Sequence, residues 1–79
     1  MTEQKVRQDQ IHIGVNIRRI RTAQSIGQTE LVRRLQLLGV DMTRETLVKI
    51  ERGTQHIRAS QLQGIRDVLQ TTYDELLQP

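Results

Sequence analysis

The chain has 79 residues, no cysteine, one aromatic (Tyr73) and a net charge of +3, which make it one domain near the lower size at which a core holds without metals or disulfides. Lack of cysteine excludes a disulfide framework and a thiolate zinc site, and fits a reducing cytosol. No apolar run approaches the ~20 residues of a membrane span, and MTEQKVRQDQ is too polar for a signal peptide, so a cytoplasmic chain with no membrane contact is expected.

Residues 1–10 are polar without a sustained period and are expected to form a flexible arm ahead of a domain over 11–79. From Ile11 onward the apolar residues recur at helical spacing. Ile13, Ile17 and Ile20 predict a first helix ending near Gln24. Leu31, Leu35 and Leu38 predict a second from Gln28 to Leu38, with Gly39 as its left-handed stop. Leu47 and Ile50 predict a third from Thr43 to about Arg52, closed by Gly53 in the same way. Leu62, Ile65 and Leu69 predict a fourth that starts between Ala59 and Gln61, with Gly64 inside it either permitting a close helix contact or merely tolerated. Thr72-Tyr73-Asp74-Glu75 has the pattern of a capping box that opens a fifth helix carrying Leu76 and Leu77. No segment alternates with the period of a half-buried strand, so the fold class is all-α. Helices this short are marginal alone and must share one core of Ile, Leu and Val.

The charge is unevenly spread. Residues 1–58 carry eleven Lys/Arg against six Asp/Glu, whereas residues 59–79 carry one Arg against three acids. A basic body with an acidic end points to a polyanionic partner for one face. The second and third helices, joined by a glycine-containing turn, are the elements of a helix-turn-helix. Thr43 caps the third helix, and Arg44, Glu45 and Lys49 project from the face opposite Leu47 and Ile50. Glu45 has a second reading, as a carboxylate favouring the positive end of its helix. Arg18, Arg19, Arg33 and Arg34 are expected to form a solvated or diffuse phosphate-facing surface, not specific contacts. His12 and His56 stand apart without metal-ligand spacing, and neither a metal nor another cofactor is expected.

Over roughly residues 13–77 the sequence resembles the Cro and phage-repressor type of helix-turn-helix domain, the XRE family. The resemblance rests on Arg21, then Gln28-Thr29-Glu30-Leu31, then Thr43-Arg44-Glu45-Thr46-Leu47, then Ile50-Glu51-Arg52-Gly53, and last Tyr73-Asp74-Glu75-Leu76-Leu77. It implies a lambda-repressor-like five-helix domain whose helices 2 and 3 contact DNA through Gln28, Thr43, Arg44, Glu45, Thr46, Lys49 and Arg52. Base edges fall to Arg44, Glu45 and Lys49, and phosphates to Gln28, Thr43 and Arg52. It also implies an ion pair between Arg21 and Glu51. The chain departs from the family pattern in about five extra residues between Gln28 and Gly53, assigned to Gln36-Leu37-Leu38 and Asp41-Met42. It departs again in Val32 where a small alanine is usual, and in Gly27 where a hydroxyl cap is usual.

The expected function is therefore a sequence-specific regulator of transcription that binds a double-stranded DNA operator, acting as a repressor, and as a homodimer on DNA that uses the helices already counted. The alternative is a protein-interaction module or antitoxin-like component of the same fold, which requires an exposed apolar groove around Leu37, Val40 and Met42. No nucleophile–base pair or carboxylate cluster has the spacing of an enzyme, and no small-molecule substrate is evident.

Overall fold

The computed structural model describes Glu3, Lys5, Val6 and residues 12–79. Five helices follow in chain order: α1 (Ile13–Ala23), α2 (Gln28–Leu37), α3 (Arg44–Arg52), α4 (Ala59–Leu69) and α5 (Tyr73–Leu76). The expected N-terminal arm falls largely outside the described residues. Where it is described, Lys5–Val6 (β1) pairs antiparallel with Ile57–Arg58 (β2), Lys5 opposite Arg58 and Val6 opposite Ile57. Among the described residues the fold is all-α apart from this two-residue ladder, which is too short to leave an alternating pattern in the sequence.

Every helix gives its apolar stripe to one core. Ile13, Ile17, Leu31, Leu35, Leu47, Ile50, Ile57, Ile65, Leu69 and Leu76 are fully buried there, with Met42 beside them. α1 packs on α3, α4 and α5, and α2 packs on α3 and α4. The α1–α3 crossing is set by Gly14, because a Cβ at that position would lie 2.1 Å from the carbonyl oxygen of Ile50 and 2.9 Å from that of Glu51. Only a residue without a side chain lets the two backbones meet so closely.

Two helices end as the sequence predicts. Gly39 (φ 81°) and Gly53 (φ 79°) are left-handed. Val40 N donates to Leu35 O at 3.0 Å and Gly39 N to Gln36 O at 2.9 Å; Thr54 N and Gly53 N close α3 in the same pattern onto Lys49 O and Ile50 O. At α5 the expected capping box is half made. Thr72 Oγ1 accepts from Glu75 N at 3.1 Å, but the Glu75 carboxylate lies 3.7 Å from the Arg19 guanidinium on α1 instead of returning to its own helix. The C-terminal segment is held from below by Asn16, a buried amide that donates to both Leu76 O and Gln78 O at 2.9 Å.

The long connection between α2 and α3 is fastened along its length. Gln36 Nε2 donates to Met42 O and Gln61 Nε2 to Asp41 O, both at 2.9 Å. Gln61 is itself buried and also accepts from Arg58 N at 3.0 Å, so one amide ties the turn to the start of α4. Gly64 does sit at a close contact: a Cβ there would meet Val40 Cγ2 at 2.8 Å and Leu35 Cδ2 at 3.0 Å. The exposed apolar groove that the interaction-module alternative requires around Leu37, Val40 and Met42 is not formed. Met42 belongs to the core and Val40 is half-buried against α4, which leaves Leu37 and its neighbour Leu38 in solvent at 74% and 58% exposure.

Candidate functional site

The residues singled out in the sequence gather on α3 and on the parts of α1 and α2 that face it. Thr43 is the N-cap of α3, its Oγ1 accepting from Thr46 N at 3.1 Å and donating to Thr46 Oγ1 at 3.0 Å. The one donor of that hydroxyl and one of its two acceptor sites are spent inside the helix start. The first amides of α3 have no intrahelical acceptor and leave partial positive charge at this end.

Arg21 of α1 and Glu51 of α3 meet in a buried, two-pronged pair. Arg21 Nε donates to Glu51 Oε2 at 2.8 Å and Nη2 to Oε1 at 2.9 Å, with the side chains 8% and 3% exposed. Arg21 Nη1 donates to Ile26 O at 2.9 Å, and Gln28 Nε2, at the first turn of α2, donates to Glu51 Oε1 at 3.1 Å. This network joins α1, the α1–α2 loop, α2 and α3 at one point. Gln28 is thus committed on one side to Glu51, with its remaining amide capacity toward solvent.

Above the network opens a cleft of about 610 Å³, lined by Arg18, Arg21, Gln28, Arg44, Val48, Glu51 and Arg52. Arg44, Val48 and Arg52 follow each other at i, i+4 and i+8 along the flank of α3 that looks toward α1. Glu45 and Lys49, also four apart, form the next strip outward, opposite Leu47 and Ile50, and are exposed. Thr46 is half-buried on the other side of the helix. The expected outward set Arg44, Glu45 and Lys49 is therefore divided between two strips.

The cations divide as well. Arg19 faces Glu75, Arg33 and Arg34 share Glu30, Arg58 approaches Asp41, Arg66 holds Asp67, and Arg21 holds Glu51. Arg18, Arg44, Lys49 and Arg52 have no carboxylate partner among the described residues. All four lie on α3 or on the face of α1 beside it. Of the arginines expected to form a diffuse basic surface, Arg33 and Arg34 share the single carboxylate of Glu30, which offsets one of their two charges and whose pKa their hydrogen bonds hold down to about 2.

Two residues of the cleft were not distinguished in the sequence. Arg18 was grouped with Arg19, Arg33 and Arg34, yet it stands three residues before Arg21, hence on the same face of α1, and that spacing was the available signal. Val48 carries no chemical signature and enters only as the wall between Arg44 and Arg52. His12 and His56 are both exposed. Comparison of the chain with family models, with curated proteins and with solved structures finds no match.

Proposed function

We propose that the protein binds double-stranded DNA through α3 and the cleft beside it, as a sequence-specific regulator of transcription of the Cro and phage-repressor type, with α2 and α3 acting as a helix-turn-helix. The observation that carries this reading is the segregation of charge: Arg18, Arg44, Lys49 and Arg52, without a carboxylate partner among the described residues, lie on α3 or on the face of α1 beside it, while Arg19, Arg33, Arg34, Arg58 and Arg66 each lie against an acid, Arg33 and Arg34 sharing one. A face left basic by the fold is complementary to a polyanion. An α-helix with its side chains is about 10–12 Å across, so α3 suits the width of a major groove, about 12 Å. Glu45 on the outermost strip accepts hydrogen bonds only, which in that groove matches the amino group of cytosine. The family resemblance in sequence supports the same assignment, repression by operator occupancy being its usual form.

Selection of bound duplexes from a random pool, at stated salt, tests it. We expect a defined consensus, and a log affinity that falls with log salt by about 0.9 for each phosphate contacted. Single strands of the same sequence should bind poorly, because base stacking needs aromatics and Tyr73 is the only one in the chain, with the Arg66 guanidinium 4.6 Å above its ring. A flat salt dependence, or a preference for single strands, overturns the reading.

A further inference from the structure

We infer that the cleft between α1 and α3 seats one phosphate of the duplex backbone between Arg18 and Arg44, with Arg52 on the same rim, so that Arg44 holds the backbone and sequence discrimination falls to Glu45 and Lys49. This rests on the DNA-binding reading above and goes further, because it brings α1 into the interface and removes Arg44 from the base readers.

Three observations converge. First, guanidiniums from two different helices line one concave volume of about 610 Å³, and none of the three has a carboxylate of its own among the described residues. Like charges gathered around one opening repel each other, and an anion seated among them relieves that cost. Second, the floor of the cleft does not oppose an anion. Its one carboxylate, Glu51, is buried and accepts from Arg21 on both oxygens and from Gln28 on one. Arg21 is equally occupied, by Glu51 and by Ile26 O, so the charge facing solvent is that of Arg18, Arg44 and Arg52.

Third, the two strips of α3 face different things. A helix lying in a groove turns one strip to the base edges and its flanks to the sugar–phosphate walls. Glu45 and Lys49 occupy the strip farthest from the core, while Arg44 and Val48 occupy the flank that closes on α1, with Arg52 between the two and on the rim of the cleft. An arginine on that flank, facing a second arginine across a cleft, meets a wall and not a base edge. The fork of a guanidinium suits two phosphate oxygens as well as it suits guanine.

The test uses the whole chain, the duplex recovered by selection, and a duplex of mixed sequence. Arg18→Ala and Arg44→Ala, both at exposed positions, should each weaken the two duplexes by the same factor and lower the salt slope by about 0.9. Repeating the selection with Arg44→Ala should return the wild-type consensus, whereas Lys49→Ala should change it. Replacing one backbone phosphate by a neutral methylphosphonate should weaken the wild type at a single position and cause no further loss there in Arg18→Ala or Arg44→Ala. Arg18→Lys and Arg44→Lys, which keep the charge, should restore the slope and guard against misfolding as the cause. If Arg44→Ala relaxes one base position with its slope unchanged, or if Arg18→Ala leaves affinity and slope at wild-type values, the phosphate seat is overturned while DNA binding stands. If the wild type itself shows no salt-dependent duplex binding, both fall together.

Discussion

The α1–α3 side of the molecule and the α2–α4 side solve the same problem with opposite use of charge. On the α2–α4 side each arginine finds an acid: Arg33 and Arg34 on Glu30, Arg58 near Asp41, Arg66 on Asp67. On the α1–α3 side the one carboxylate of the cleft is buried with Arg21, and the exposed guanidiniums of Arg18, Arg44 and Arg52 stay bare. The cations without an acid beside them are thereby gathered on the α1–α3 side. The two sides also bring helices together differently. Gly14 lets α1 touch the backbone of α3, which cannot yield, and Gly64 lets α4 touch side chains of α2 and the turn, which can.

The largest expected effect lies in the buried pair. Glu51→Ala leaves the Arg21 guanidinium unpaired at a site where the pair is almost wholly out of solvent, a loss of about 3–5 kcal/mol. Removing Glu30, whose partners are half in water, should move a urea midpoint far less. Replacing Arg21 and Glu51 together by Met and Leu should recover much of the loss, because no charge is then stranded. If Glu51→Ala and Glu30→Ala shift the midpoint alike, the contrast between the two sides fails.

Next comes the contrast of glycines. In Gly14→Ala the new methyl collides with the Ile50 carbonyl, and relief requires α1 to lift from α3, at about 3 kcal/mol. The lifted helix should also loosen the Arg21–Glu51 pair. For Gly64→Ala the obstacles are the ends of the Val40 and Leu35 side chains, and alanine returns about 1 kcal/mol of helix propensity. A net change within about 1 kcal/mol is expected there. Thermal melts of the two variants decide it, and a Gly64→Ala loss as large as that of Gly14→Ala would mean that the fastened turn is as rigid as the α1–α3 crossing.

Most of the helical frame was legible because its signals are local. Apolar spacing fixed the buried faces, and Gly39, Gly53, Thr43 and Thr72 marked ends whose capping depends on a few neighbouring residues. What was not legible depends on residues distant in sequence. Asn16 carries no sign that it will hold Leu76 and Gln78, sixty or more positions away. Glu75 satisfies the pattern of a capping box, yet Arg19 competes for it across the α1–α5 contact. Met42 and Val40 look available as surface apolar residues in the sequence, and only the closure of the turn by Gln36 and Gln61 turns them inward. In the candidate site, Arg18 and Arg19 differ in sequence by one position and in fate by which of them meets a carboxylate.

The smallest expected effect tests the paired side directly. Hydrogen bonds from Arg33 and then Arg34 hold the Glu30 carboxyl at about 2, against an ordinary value of 4.5. A carboxyl with a lowered folded pKa contributes stability that is fully present above its unfolded value and disappears as pH falls through the folded one. The window is therefore pH 4.5 down to 2, and the contribution is small because the side chain is 36% exposed and solvent screens the pair. Acid unfolding of wild type and Glu30→Gln should differ by a constant amount above the window and converge within it. Following the Glu30 carboxyl carbon by NMR gives the sharper result: titration near 2 in the wild type, returning toward 4.5 when Arg33 and Arg34 are both replaced by alanine. Were the wild-type carboxyl to titrate near 4.5, Glu30 would not be holding its arginines, Arg33 and Arg34 would join the bare cations, and the basic field would no longer belong to the α1–α3 side alone.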